Sequence, residues 1–388
     1  MYRIALILII FLILPDIYIY LVHIVRRTKK TGWRLAYWVP TLLIVAGYAA
    51  CMGMSGENML AHHAQTIGWL AVITLLFAAP KIIFMLCSLS GIVLHTLSRY
   101  IPSALFTGIG LVLALASFGN ILYGSIVGIK RFEIKEVEYH SKQLPKGFDG
   151  YRIVQISDIH IGSWQGDDTS IQKMVNLVNA QKADLIVFTG DLVNQRSHEL
   201  DEFQHILSQL HAPDGVYSIL GNHDYGTYYH WKTPQEEKEN LANLIAQEKN
   251  MGWTLLNNEH VILHHRGDSI ALIGVENDGE PPFSQYADLP RAMKDTEGMF
   301  QILLSHNPTH WKRQVLPESD IELMLAGHTH AMQMELFGRS LASLKYPEWS
   351  GMYYQGERAL YVNVGIGYVG LPFRFGAWPE ITVLTLHE

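Results

Sequence analysis

The 388-residue sequence has little cysteine and little charge. Its two cysteines, Cys51 and Cys87, both lie in apolar stretches, which excludes a disulfide framework and a cysteine-rich zinc site. Only 17% of the residues are charged whereas 49% are hydrophobic, an apolar composition for a soluble protein. Residues 1–130 hold nine basic residues but only two acidic ones, Asp16 and Glu57. The chain therefore divides into an apolar, basic first part and an acidic second part.

The second part, residues 131–388, contains 34 acidic and 20 basic residues, a net charge of about −14. Nonspecific nucleic-acid binding needs a basic surface, so this charge argues against nucleic acid as a partner. An anionic substrate must then be attracted by a local group such as a bound metal.

Four apolar runs in the first part are each near the ~20 residues that an α-helix needs to cross hydrocarbon. They cover residues 4–25, 35–55, 68–90 and 101–128. The first run could also be a signal peptide, but three more runs follow it and no small-residue cleavage site is evident. Residues 1–130 are therefore predicted to form a transmembrane region of about four helices in a multi-pass integral membrane protein.

Charges between these runs predict the orientation of the chain. The loop after the first run contains five basic residues, which should stay cytoplasmic: Arg26, Arg27, Lys29, Lys30 and Arg34. The loop around Glu57 then lies outside, and the second part of the chain is predicted to be extracytoplasmic. Lys130 and Arg131, after the fourth run, favour the opposite orientation.

Three ionisable residues interrupt the apolar runs, namely Asp16, His23 and Lys81. An ionisable group inside a membrane is a candidate for function. Each of these three lies near a predicted helix end, so we expect their side chains to reach the membrane interface.

Residues 131–150 are predicted to be a charged connector, and residues 151–388 alternate β-branched runs with helix-compatible stretches. The predicted strands are Tyr151–Ser157, Asp184–Thr189, Gly215–Leu220, Ile270–Val275, Phe300–Ser305, Ile321–Ala326, Leu360–Val364 and Ile381–Leu386. Predicted helices lie near residues 168–180, 199–210 and 235–250. This alternation is typical of a layered α/β domain.

Polar motifs follow five of the predicted strands. They are Asp158-Ile159-His160, Gly190-Asp191, Gly221-Asn222-His223-Asp224, His306 and Gly327-His328-Thr329-His330. Ligands of layered α/β proteins bind beyond the carboxyl ends of the strands, so these motifs should meet at one edge. Carboxylate, imidazole and amide oxygen suit manganese, iron or zinc. So many ligands indicate two cations that share a bridging carboxylate, as in metal-assisted hydrolysis.

This order of motifs resembles the calcineurin-like metallophosphoesterase family over about residues 150–388. A closer likeness is to its membrane-associated branch, because the chain also has Gly365-Ile366-Gly367, Arg374 and Pro379-Glu380 before a last strand. The resemblance implies a four-layer α/β/β/α sandwich for this part. The chain departs from the pattern at Ala331-Met332-Gln333, where many relatives have Gly-Gly-Gln, and this concerns the loop beside the site rather than a ligand.

The resemblance also implies a role for each metal ligand. One divalent ion would be held by Asp158, His160 and His330, and a second by Asn222, His306 and His328. Asp191 would bridge both ions, and hydroxide between them would attack phosphorus. The metals would be manganese, zinc or iron.

Three further residues receive roles from the resemblance. His223 would lie beside the leaving oxygen as a proton donor or charge stabiliser, and Asp224 would orient it. Arg374 would contact the substrate phosphate, since a guanidinium matches phosphate oxygens. Other residues lie near the motifs without an assigned role: Asn194, Tyr225, Asn307 and Tyr368.

The sequence therefore predicts a membrane-anchored dinuclear-metal phosphoesterase acting on phosphoester or pyrophosphate bonds, with a lipid-linked or cell-envelope substrate. One alternative is an enzyme like the UDP-2,3-diacylglucosamine pyrophosphatases of lipid A synthesis, which some members of the branch resemble. That reaction needs a cytoplasmic site and conflicts with the predicted orientation. The alternative of another class is a membrane sensor or scaffold with a non-catalytic metal-binding domain, but the motifs are intact.

Overall fold

The computed structural model describes residues 2–53 and 58–388, which form two compact units. The first unit comprises residues up to Val127 together with Gly370–Phe373, and the second comprises Gly128–Val369 and Arg374–Glu388. The boundary at Val127 lies close to the predicted one at residue 130. The predicted loop around Glu57 lies outside the described residues.

The first unit is helical. Its first helix continues from Ile19 through a π-helical turn, Tyr20–Ile24, as far as Arg27. The helices are α1 (Tyr2–Ile19), α2 (Thr31–Ala36), α3 (Val39–Gly53), α4 (Met59–His62), α5 (Ala64–Leu97) and α6 (Ser103–Ile126).

Three stretches of the described chain are long and apolar enough to cross a membrane: Thr31–Gly53, Ala64–Leu97 and Ser103–Lys130. They coincide with the second, third and fourth predicted runs. The first predicted run falls on α1, so the predicted number of four spans stays a prediction. A membrane location is nevertheless clear from these helices.

The segment Gly370–Phe373 belongs to the first unit although it comes from the C-terminal part of the sequence. It lies against Gly68 near the start of α5, where a Cβ atom would be 2.5 Å from the Gly370 carbonyl oxygen. Only glycine at position 68 leaves room for this backbone.

Asp16 and Lys81 form an ion pair inside the first unit. The Lys81 Nζ atom lies 2.6 Å from Asp16 Oδ1, and the Asp16 side chain is fully buried. Tyr37 and Thr41 donate further hydrogen bonds to the same carboxylate. Partners on α3 and α5 thus replace the water that a buried charge requires, while the predicted position of Asp16 near the membrane interface stays a prediction.

The second unit contains two six-stranded sheets. The first sheet has the order β1-β12-β2-β3-β4-β5, formed by β1 (Glu133–His140), β12 (Glu380–His387), β2 (Arg152–Ile156), β3 (Leu185–Phe188), β4 (Val216–Ser218) and β5 (Thr254–Leu255). The second has the order β10-β11-β9-β8-β7-β6, formed by β10 (Gly351–Gln355), β11 (Arg358–Val362), β9 (Leu323–Ala326), β8 (Gln301–Leu304), β7 (Asp268–Gly274) and β6 (Glu259–His265). The helices are α7 (Asp168–Ala180), α8 (Gln204–Leu207), α9 (Pro234–Asn250), α10 (Leu289–Ala292) and α11 (Leu316–Glu318).

Alternating side chains on the strands build three apolar cores and hence four layers. On β2, Ile153 faces the other sheet, whereas Val154 faces the core that contains α7. On the second sheet, Ile302 lies in the core between the sheets and Leu303 in the outer core with α10. The predicted α/β/β/α sandwich is therefore the observed architecture.

All eight predicted strands are present, but residues 131–150 are more than a connector. Strand β1 covers Glu133–His140 and pairs in parallel with β12. Charged residues lie on both faces of β1, one face is exposed and the other is mostly half-buried, so its sequence lacks the apolar run expected of a strand. Three more strands, β5, β6 and β10, also escaped prediction, and the predicted helix near 199–210 reduces to short turns around α8.

Glu248 on α9 should make the folded protein less stable at higher pH. Its side chain is fully buried with one hydrogen bond, from Ser218, and burial raises its pKa to about 8. A raised pKa favours folding in acid, and stability is then lost as the pH rises from about 4.5 to 8, by about 1.4 kcal/mol per unit at most. Glu248→Gln removes this ionisation, so its unfolding midpoint should exceed that of the wild type by a margin that grows from pH 5 to pH 8.

Thermal unfolding of the full chain in detergent measures this margin. Glu239→Gln, an exposed change on the same helix, is the matched control and should follow the wild type at every pH. Parallel profiles for wild type and Glu248→Gln would show that Glu248 carries no penalty.

Candidate metal centre

The predicted metal ligands lie at the carboxyl ends of strands from both sheets. Strands β2, β3 and β4 run parallel in one sheet, and β7, β8 and β9 run parallel in the other. Glycines let the chain turn closely after these strands. A Cβ at Gly327 would lie 2.0 Å from Ser157 Oγ, and one at Gly221 would lie 2.2 Å from Asp191 Oδ1. No other residue type fits at either position.

Asp158, His160 and His330 form the first ligand group. Their ligand atoms all lie within 4.8 Å of one another, and all three residues are buried. His330 Nε2 is 3.2 Å from Asp158 Oδ1 and 3.1 Å from His160 Nε2. The backbone of each residue is left-handed, with φ of 51°, 46° and 49°, an uncommon conformation outside glycine that occurs at functional sites.

Asp191, His306 and His328 form the second ligand group, again within 4.8 Å of one another. Asp191 Oδ2 lies 3.2 Å from His306 Nε2 and 3.5 Å from His160 Nε2, so this oxygen faces both groups. His328 Nδ1 lies 3.3 Å from His306 Nε2. The structure thus brings all the histidine and aspartate ligands of the prediction together, with Asp191 between the two groups.

The donor atoms fit bound metal. Asn222 Oδ1 is buried without a hydrogen-bond partner, while its amide nitrogen donates to Tyr228 Oη at 3.0 Å. His306 Nδ1 donates to the Thr189 carbonyl at 2.7 Å, so Nε2, which lies 3.2 Å from Asp191 Oδ2, is the nitrogen that would bind a metal in place of its proton. A buried oxygen without a partner costs stability unless a cation binds it.

Electrostatics of the metal-free protein agree with this assignment. Burial and neighbouring histidine charges lower the pKa of His160, and lower that of His328 to about 3, so both are the neutral imidazoles that metals bind. Burial opposes a charge on His306, yet Asp191 raises the pKa of His306 to about 10. A cation at this position would replace the proton of His306, so metal uptake there should release a proton.

His223 is held by a backbone carbonyl and not by Asp224. The His223 Nδ1 atom lies 2.6 Å from the Asn194 carbonyl oxygen, which directs Nε2 away from it. The His223 ring is half-buried and packs edge-to-face on His160 at 4.8 Å. Together with His160 and Asp191 it forms a third possible ligand group.

The orienting role predicted for Asp224 is wrong. Its fully buried carboxylate accepts four backbone N–H groups, at 2.8 to 3.1 Å, from Asp191, Leu192, Val193 and Gly221. Asp224 therefore fixes the loop that carries the bridging Asp191. Its role is structural support of a ligand rather than orientation of a histidine.

The predicted contact of Arg374 with a substrate phosphate does not fit the location of its side chain. The side chain is fully buried, and it donates to the carbonyl oxygens of Gly367, Ala377 and Val364. Its Nη2 atom also lies 2.9 Å from His330 Nδ1. A guanidinium with these partners positions His330 and has no exposed face for a substrate.

Three aromatic residues around the site carry no motif and escaped the sequence analysis. The Tyr346 hydroxyl lies 3.0 Å from His328 Nε2, and the Phe283 ring stands at 4.6 Å from the His328 ring. The Tyr228 ring lies 4.6 Å from His223. Tyr228 belongs to an aromatic-rich stretch, residues 225–231, directly after the motif of Asn222, whereas Phe283 and Tyr346 lie far from the motifs in sequence.

Known families match both parts of the chain. Residues 151–332 match the family described as calcineurin-like phosphoesterase, and residues 2–129 match the probable calcineurin-like phosphoesterase transmembrane domain. The uncharacterised metallophosphoesterase YkuE of Bacillus subtilis is 33% identical, with 70% of this chain and 92% of that protein covered. UDP-2,3-diacylglucosamine pyrophosphatase LpxG of Chlamydia trachomatis is 30% identical, with 62% and 86% covered.

A vertebrate protein is also similar. The transmembrane protein with metallophosphoesterase domain of Danio rerio is 33% identical over 69% of this chain. The present chain spans 60% of the length of that relative.

Proposed function

The chain belongs to the calcineurin-like phosphoesterase family and has a transmembrane domain, and from this premise we propose that it uses two divalent metals to hydrolyse a lipid-linked phosphoester or pyrophosphate. The family consists of metal-dependent hydrolases of phosphoester bonds. The chain is accordingly a membrane-associated metallophosphoesterase. The number of metals, the class of substrate and the side of the membrane are the parts that we propose.

The position of Asp191 is the observation that carries the proposal. One carboxylate oxygen faces the imidazoles of His160 and His306, which belong to different ligand groups. A single ion would leave one group, and the buried Asn222 oxygen, without a partner. Two ions that share Asp191 would satisfy all the donors, and paired ions are suited to phosphoester hydrolysis.

The residues around the ligands supply the remaining chemistry. When bound, divalent metals lower the pKa of water and neutralise phosphate charge. His223 carries its proton on Nδ1 toward Asn194, and its half-exposed Nε2 can hold a second proton for a leaving oxygen. Asp224 keeps the loop of Asp191 in place, and Arg374 keeps His330 in place.

A pyrophosphate that joins a lipid to a nucleotide is the first substrate to test, because LpxG bears the name of such a pyrophosphatase. A phosphodiester lipid of the cell envelope is the second, and it agrees with the extracytoplasmic orientation that loop charge predicts. Protease access to the C-terminal unit in intact cells separates them, because a UDP-lipid is available only on the cytoplasmic side.

Replacement of His223 should abolish turnover without loss of metal. The full chain in detergent is stripped with chelator and resupplied with manganese, zinc or iron, then assayed with UDP-2,3-diacylglucosamine and a phosphodiester lipid. His223→Ala should lower kcat by roughly 100-fold or more, the usual contribution of a general acid. His205→Ala, an exposed histidine on α8, is the control and should keep full activity.

Metal content is measured alongside. Unchanged activity of His223→Ala would contradict the assigned role. Bound metal without turnover on either lipid, or on soluble nitrophenyl esters, would favour the scaffold or sensor alternative.

A further inference from the structure

The segment Met332–Leu344, here called the apolar rim, exposes six large apolar side chains. Phe337 is fully exposed, Leu344 is 85% and Leu341 is 66% exposed, and the remaining three are Met332, Met334 and Leu336. Single exposed apolar residues are ordinary on protein surfaces, but a contiguous group marks a binding surface.

Hydrogen bonds hold the backbone of the rim in a defined conformation. Leu336 and Arg339 exchange backbone hydrogen bonds across a tight two-residue turn, and Glu335 donates from its backbone to the Phe375 carbonyl. The Ser340 hydroxyl donates to the Ala331 carbonyl. The apolar side chains are therefore presented on a fixed backbone.

Two bulky residues of the rim have left-handed backbone conformations, which favour glycine or asparagine. Phe337 occupies the tip of the turn at φ 53°, and Met332 lies at φ 47° between two further left-handed residues. A bulky side chain in this region is disfavoured by roughly 1–3 kcal/mol. Phe337 combines an unfavourable backbone conformation with a fully exposed ring, so it does not stabilise the fold. This combination points to a role in binding.

The rim borders the metal centre at both ends. It begins two residues after the ligand His330, and it ends two residues before Tyr346, whose hydroxyl contacts His328. The chain that forms the rim is therefore anchored at both ends beside residues of the metal centre. Its chemistry would decide which phosphate reaches them.

A lipid bilayer fits the rim better than a protein partner does. The second unit is covalently joined to a transmembrane unit, so the protein as a whole is held at a bilayer. The Phe337 side chain is fully exposed on a turn, which suits contact with a fluid apolar phase. Exposed Arg339 and Lys345 flank the apolar side chains, and cations beside apolar residues are typical of surfaces that bind anionic lipid interfaces.

We propose that the apolar rim inserts into the interfacial layer of a phospholipid bilayer beside the metal centre. An interfacial segment enters by about 5–10 Å, which is the depth at which lipid phosphates lie. The rim would thereby present membrane lipids, rather than soluble phosphoesters, to the ligands. This last consequence rests on the proposed function, whereas insertion itself does not.

A fluorescent probe at position 337 tests insertion directly. In the full chain, Cys51 and Cys87 are changed to serine, and Phe337→Cys is labelled with an environment-sensitive fluorophore. The protein is reconstituted into vesicles of phosphatidylcholine and phosphatidylglycerol. The control is Tyr354→Cys, an exposed aromatic position that pairs with Ala359 at the end of the sheet opposite the ligands.

Insertion predicts blue-shifted emission at position 337, quenched by lipids that carry nitroxide on their acyl chains, with neither effect at position 354. Water-like emission at both positions would overturn the proposal. A blue shift at position 337 that lipid nitroxides do not quench would also overturn it, and would assign the rim to contact with another protein or a second copy.

Activity gives the second measurement. The variant Phe337→Ser/Leu341→Ser/Leu344→Ser should hydrolyse vesicle-borne lipid roughly tenfold more slowly or worse, with unchanged rates on a soluble nitrophenyl phosphodiester. Equal loss on both substrates would overturn the selective role of the rim. If the wild type hydrolyses neither substrate, the proposed function fails, while the probe result still decides insertion.

Discussion

Asp191→Asn should strongly reduce hydrolysis and lower the metal content of the full chain. The Asp191 carboxylate faces both ligand groups, and the amide that replaces it has one oxygen and no charge. We expect kcat/KM to fall by roughly 1000-fold or more, because the variant loses both the shared ligand and the charge that holds the metals. Metal analysis after gel filtration should show a drop from two ions to one or none.

Asp168→Asn is the matched control for this change. Asp168 is exposed in the first turn of α7, so the same substitution there alters net charge equally without touching the ligands. Its activity and metal content should equal those of the wild type. Retention of two ions by Asp191→Asn would refute the shared carboxylate, and with it the dinuclear arrangement.

Asp224→Asn should destabilise the protein more than any other single change near the site. The carboxylate accepts four backbone N–H groups, whereas an asparagine would turn its own N–H₂ group toward some of these donors. Each buried donor left without an acceptor costs about 1–3 kcal/mol, so the free energy of unfolding should fall by several kcal/mol. Manganese affinity should fall too, because the loop of Asp191 loses its support.

Thermal unfolding and calorimetric metal titration of the full chain measure both effects. Asp214→Asn is the comparison, since Asp214 accepts one side-chain hydrogen bond, from Tyr151, and its loss should be smaller. The sequence instead predicts that Asp224 orients His223. In that case Asp224→Asn would affect the rate of hydrolysis and leave stability and metal binding intact. A stable, metal-binding Asp224→Asn protein with the kinetic defect of His223→Ala would restore the sequence-based role.

The sequence is enough to predict which candidate ligands lie close together, because each follows a buried strand. Ile153–Ile156 is apolar except for Gln155, and Leu185–Phe188 is apolar throughout. Asp158 and Asp191 follow these strands within three residues, so the order of strands brings the ligands to one edge. The supporting residues are harder to predict, since their partners are backbone atoms. The local sequence does not show that backbone N–H groups surround Asp224 or that backbone carbonyl groups surround Arg374.

Long-range partners explain what else the local sequence does not predict. Strand β1 is stabilised by β12 at the far end of the sequence, and its own charged residues give no apolar signal. Asp16 is buried because Lys81 reaches it across the membrane unit. In both places the local sequence indicates an exposed position, but contact with a distant segment of the chain gives it a defined partner.

The location of Gly370–Phe373 has a consequence for the biogenesis of the protein. The membrane unit contains a segment that the ribosome makes after almost the whole second unit. The helices of the membrane unit are made early, but the segment beside Gly68 is made only after residues 128–369. Maturation of the two units is therefore linked, and a chain that stops before residue 370 would leave the membrane unit unfinished as well as the metal centre without Arg374.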